Sequence, residues 1–132
     1  MRRALRVGMA GLVAVATLGG GASAALADSG NDRDVIREGN CSLASDWKLK
    51  VGPENGRLEV EFEVDSNVVG QTWGVRLLQN GTEIFRGTRQ TVAPSGSFEV
   101  RRLATNTAGT DTFVGQARNP NTGEVCQGTV AF

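Results

Sequence analysis

The chain has 132 residues, with 14 basic and 14 acidic side chains, no His, no Tyr, 18 Gly and two Cys. That length suits one domain rather than two. The missing His removes His general bases, His-bearing zinc sites and Ser-His-Asp or Cys-His catalysis. Two Cys cannot hold an iron–sulfur cluster alone, and formal neutrality lacks the basic signature of a nucleic-acid binder.

The chain opens with Arg2, Arg3 and Arg6, followed by an uncharged, mostly apolar run over residues 7–18. Small residues follow, with Ala25-Leu26-Ala27 as an A-x-A cleavage site. A bilayer span needs about 20 apolar residues, so the pattern is that of a signal peptide over residues 1–27. The expected product is secreted, to the extracellular space or cell envelope, with no membrane span. It keeps 11 basic and 14 acidic side chains, a net charge of −3.

Residues 28–40 are polar and bury too little apolar surface to fold alone, so they are expected to form a flexible lead. Cys41 and Cys126 then stand near the ends of the remaining domain, residues 41–132. In an exported chain two widely spaced Cys read as a disulfide. Closing so long a loop is worth about 4–5 kcal/mol in the chain-entropy picture.

From Trp47 onward apolar residues recur at every second position. Trp47, Leu49 and Val51 alternate with Lys48 and Lys50, and Leu58, Val60, Phe62 and Val64 with Glu59, Glu61 and Glu63. Trp73, Val75 and Leu77 begin a third run, and Asn80-Gly81 is the preferred pair for a two-residue hairpin into a fourth. Phe98 and Val100, residues 112–118 and residues 124–132 supply the rest. Turn residues punctuate the chain about every ten positions, a spacing that predicts a seven-stranded immunoglobulin- or fibronectin-like β-sandwich.

Trp73 in the third strand, the Asn80-Gly81 hairpin and the closing Gly123-Glu124-Val125-Cys126 resemble small secreted actinobacterial Ig-like proteins over residues 41–132. The resemblance implies the fold and carries no activity across. The chain departs from the Ig hallmark of an inter-sheet disulfide around the core Trp, since its Cys lie before the first predicted strand and in the last.

No residue set points to a cofactor or a metal. Glu59, Glu61, Glu63 and Asp65 form an acidic stripe along one strand face, which supplies no cleft for acid–base or calcium chemistry. If Val51 lies opposite Leu58, Lys50 faces Glu59 and Lys48 faces Glu61, a structural pairing. Ser42, Ser45, Ser95 and Ser97 have no His base and no nucleophile elbow. In the Asn80-Gly81 hairpin, parity sets Arg76 opposite Phe85 on the outer face, above a low point at Gly74. A sixth strand beside the third would add Gln116 and Arg118. Arg and aromatic side chains mark contact surfaces, so Arg76, Phe85, Gln116 and Arg118 are the candidate partner-binding residues, for an unidentified protein or glycan. The expected function is a non-enzymatic binding or structural module. The alternative is a small enzyme inhibitor acting through the loop of residues 88–97, with Arg89 and Pro94.

Overall fold

The alternating runs form strands in the computed structural model, which describes residues 33–132. The expected signal peptide and residues 28–32 of the lead lie outside the described residues. The strands are β1 (Val35–Asn40), β2 (Asp46–Glu54), β3 (Arg57–Asp65), β4 (Thr72–Gln79), β5 (Thr82–Gln90), β6 (Ser97–Ala104), β7 (Thr112–Arg118) and β8 (Val125–Ala131). They pair antiparallel into two four-stranded sheets, ordered β1-β2-β3-β6 and β5-β4-β7-β8. The sheets enclose one core, a β-sandwich. Leu49, Val51, Leu58, Val60, Phe62 and Val64 enter it from the first sheet, and Trp73, Leu77, Phe113 and Val130 from the second. Trp73 and Phe98 meet across the sheets with ring centroids 6.2 Å apart.

Eight strands replace the expected seven, and the extra one falls in the segment expected to be a flexible lead. β1 pairs with β2 from Val35↔Val51 to Asn40↔Asp46. Only Val35 of its side chains packs on the core, so its apolar signal is too thin to stand out. Gly39 belongs to the same device: a Cβ there would sit 2.8 Å from the Trp47 ring, and one at Gly128 of β8 would sit 2.2 Å from it. The two glycines let β1 and β8 close over the indole. The Cys41–Cys126 disulfide, with Cα atoms 4.3 Å apart, joins the same side of the sandwich.

Two registers differ from expectation. β2 runs through Pro53 to Glu54, and Asn55 and Gly56, with φ of 51° and 79°, make the turn. Both positive values suit a two-residue type I′ hairpin. Val51 therefore faces Val60 rather than Leu58, a shift of two that preserves the faces. The Asn80-Gly81 hairpin forms as expected, but a bulge follows: Leu78 faces Glu83 while Leu77 faces Phe85, leaving Ile84 as the extra residue. An odd shift reverses every face beyond it.

Buried carboxylates brace both ends. Glu124 accepts the N–H groups of Leu43 (3.1 Å) and Ser45 (2.7 Å) and the Ser45 hydroxyl (2.8 Å). Asp111, fully enclosed, accepts from Gln79 Nε2, Asn80 Nδ2 and the Thr107 N–H and hydroxyl at 2.6–3.0 Å.

Candidate functional site

The outer face of the second sheet is assembled by strand register. Arg86, Arg76, Gln116 and Gln127 stand in one row across β5, β4, β7 and β8. Thr88, Gly74, Arg118 and Val125 stand in the next. Gly74 carries no side chain on this face, so its middle is low. The result is a shallow depression of about 580 Å³, with Gly74, Gly87 and Ala117 low in it and the longer side chains around it. A Cβ at Gly74 would meet nothing closer than the Arg118 carbonyl, 4.0 Å away.

The rim is basic and only partly committed. Glu83 lies 2.8 Å from Arg86 Nη2 and 3.1 Å from Arg76 Nε, although that nitrogen makes no hydrogen bond. The hydrogen bond from Arg86, with the charges of Arg86 and Arg76, holds the Glu83 carboxyl below its ordinary range. Gln116 donates to Gln127 at 2.9 Å. Arg118 makes no ion pair among the described residues. A face with spare guanidinium donors and a low, partly apolar floor can seat an anionic or hydroxyl-rich group.

Three of the four candidate residues thus come together: Arg76, Gln116 and Arg118. Phe85 does not. The bulge turns it inward, where it is 8% exposed and part of the core. Arg76 faces Arg86 in its place. The guanidinium groups of Arg89 and Arg102 cover Phe85 from the inner side, their Cζ atoms 5.0 and 4.5 Å from its ring centroid. Arg86, Thr88 and Gln127 are the rim residues that sequence reasoning missed. Correct parity across the bulge would have found Arg86 and Thr88.

The acidic stripe lies on the outer face of the first sheet and is occupied by its own neighbours. Lys50 pairs with Glu61 (3.6 Å), Lys48 with Glu63 (3.9 Å) and Arg101 with Glu59 (3.3 Å) and Glu61 (3.9 Å). The lysine partners are each two residues further along β3 than expected, following the longer β2. Burial and hydrogen bonding to Glu61 raise the Glu59 and Glu99 carboxyls above their ordinary values. Burial pushes Glu61 upward too, but the hydrogen bonds from Glu99 and Glu59 and the charges of Lys50 and Arg101 outweigh it and leave Glu61 lowered. Among the described residues no group of three His, Cys, Asp or Glu side chains is placed to hold a metal ion.

The loop of residues 88–97 divides in two. Residues 88–90 belong to β5, so Arg89 is a strand residue stacked on Phe85 and not a loop tip. The turn beyond is pinned: Gly96 N–H donates to Val92 O (2.9 Å) and Thr91 Oγ1 to Val68 O. Val92, 55% exposed, pairs with Ser97 at the base of the turn, and Ala93, Pro94 and Ser95 form its exposed tip. The serines are used structurally: Ser42 Oγ accepts the Val125 N–H, Ser45 binds Glu124, and Ser95 and Ser97 bond each other. Comparison with protein-family models, with curated proteins and with solved structures returned no match.

Proposed function

We propose that the protein is a secreted, non-enzymatic binding module of Ig-like type, working in the extracellular space or cell envelope through the outer face of its second sheet. The single observation that carries the reading is the depression over Gly74, ringed by Arg76, Arg86, Arg118 and the Gln116–Gln127 pair. The strand order supports the Ig-like assignment, with β4 and β7 adjacent at the centre of one sheet and β3 and β6 adjacent in the other. The disulfide supports an oxidising compartment, and the partner is a protein or glycan offering anionic or hydroxyl groups to the arginines.

Gly74→Leu tests this reading. The position has open space above it, and Gly is itself unfavourable inside a strand, so the variant should fold as well as the wild type and fill the depression. Wild-type protein immobilised and exposed to the producer's medium and cell-wall fraction should retain a partner that Gly74→Leu and Arg118→Ala lose. Equal retention by all three would refute the reading.

One observation favours a second reading, inhibition of an enzyme. The exposed tip at residues 93–95 is held from below by the backbone pair Val92–Ser97 and by the Gly96 N–H on the Val92 carbonyl, as a rigid inhibitory loop requires. Arg89 is unavailable to it, so the target would be a protease accepting the small side chains of Ala93, Pro94 or Ser95. Uninhibited activity of such proteases, or cleavage at the tip, would remove this alternative.

A further inference from the structure

The depression is one feature of the second sheet without a partner among the described residues; the edge of β5, open among those residues, is another and does not depend on it. β5 is an edge strand nine residues long. Thr91 donates its N–H to Gln71 O at 2.8 Å. Antiparallel pairing alternates along a strand, so Arg89 and Gly87 turn their backbone groups to β4. Those of Arg86, Thr88 and Gln90 point away from the sheet. The Thr88 carbonyl accordingly takes the Arg89 guanidinium, at 2.8 Å. Open edges are templates for another strand, and charged side chains along them keep out strands of like charge.

Here the charge has one sign. Arg89 and Arg102 both lie within 5.0 Å of the Phe85 centroid on the inner side of the edge, and neither makes an ion pair among the described residues. Arg86 stands on the outer side, and the neighbouring carboxylate, Glu83, is engaged by Arg86 and Arg76. Two copies pairing through this edge would crowd the arginines of one copy beside those of the other. An acidic strand would bring a carboxylate beside each of these guanidiniums, which have no ion-pair partner among the described residues.

We propose that the free edge of β5 accepts an extended acidic peptide segment as an added strand of the second sheet. Its backbone pairs with Arg86, Thr88 and Gln90, and its alternate carboxylates draw the Arg89 guanidinium off the Thr88 carbonyl and meet Arg102. Main-chain bonds supply affinity and the paired arginines supply selectivity, as in other strand-addition sites.

The test uses a fluorescein-labelled nine-residue peptide alternating glutamate and threonine, at about 20 mM salt where surface charge is little screened. Fluorescence anisotropy should rise on binding, and amide exchange at Arg86, Thr88 and Gln90 should slow. Combining Arg89→Gln with Arg102→Gln should weaken binding by about tenfold or more. The same peptide N-methylated at alternate residues, or carrying lysine for glutamate, should not bind. Gly74→Leu should bind the glutamate peptide as the wild type does, which separates this edge from the depression. No binding by the glutamate peptide overturns the proposal. So does equal binding of the N-methylated peptide, a control that needs no protein variant, or binding that leaves the three amides unprotected.

Discussion

On the outer face of the first sheet, Lys48, Lys50 and Arg101 each lie within 4.0 Å of a carboxylate from β3. On the outer face of the second, Arg76 and Arg86 share Glu83, while Arg118 has no ion-pair partner among the described residues. Both faces arise from the same period-two alternation. They differ in what register sets side by side. β2 and β6 bring bases to both flanks of the β3 carboxylates, so that face satisfies itself. β4 and β7 bring Gly74, Arg76, Gln116 and Arg118 together, so donors of one sign ring a low floor. Strand pattern alone says where a face lies, and its cross-strand partners decide whether anything is left over for another molecule.

The comparison stands on Phe85 being absent from the second face. Phe85→Ala should cost about 3–5 kcal/mol, the loss for deleting a buried ring, measured by denaturant unfolding. A loss below about 1 kcal/mol would return Phe85 to the surface and undo the bulge assignment.

A buried carboxylate sharpens the contrast with the exposed stripe. Asp111→Asn should cost about 2–3 kcal/mol, because an amide would turn a donor toward groups that now donate to a charged acceptor. The hydrogen bonds from Thr107, then Gln79 and Asn80, outweigh burial and hold the Asp111 carboxyl below its ordinary value. A depressed carboxyl contributes stability above its unfolded pKa, near 3.9, and loses it as pH falls through the folded value. Wild-type stability should therefore fall below about pH 4, with a shallower fall in Asp111→Asn. Glu59 and Glu99 act in the opposite sense. Raised in the fold, they cost stability when ionised, and that cost is relieved as pH falls through their folded values. Identical acid profiles for wild type and Asp111→Asn would remove Asp111 as the cause.

The stripe itself should be forgiving. Glu61→Gln should change stability by about 1 kcal/mol or less, since the amide keeps the shape and the ion pairs, at 3.6 and 3.9 Å, include the exposed Arg101. Calcium binding abolished by that substitution would overturn the structural reading of the stripe. The smallest expected effect on stability is that of Arg118→Ala, within about 0.5 kcal/mol. The same change should weaken partner binding by more than about 1 kcal/mol. Stability and binding falling together would instead make Arg118 part of the scaffold.

Much of the fold could be read from the chain because β3 is bounded by turn residues and alternates without interruption from Leu58 to Val64. Asn80-Gly81 and the two Cys were equally plain. The bulge was not, because Ile84 and Phe85 are both apolar and nothing in their order says which is the extra residue. That ambiguity moved Phe85 to the wrong face and hid Arg86 and Thr88. β1 escaped notice because an edge strand that sends only Val35 to the core shows no alternation. Asp111 escaped because a buried turn carboxylate has no periodic signal; its donors come from Gln79, Asn80 and Thr107, up to 32 residues away. Arg76, Gln116 and Arg118 were found because β4 and β7 are regular between Gly74 and Leu78, where parity survives.

The Cys41–Cys126 bond also sets how the protein answers mechanical load. Tension applied at Arg33 and Phe132 passes through the disulfide and bypasses the 85-residue loop it closes. β2 to β7 lie wholly inside that loop. Only β1 and the part of β8 beyond Cys126 can be peeled away. At about 3.4 Å per extended residue, roughly 290 Å of chain stays withheld until the bond is reduced. The candidate binding face lies largely within this protected length. A molecule tethered by its ends would keep Arg76, Gln116 and Arg118 in register under forces that had already stripped its outermost strands.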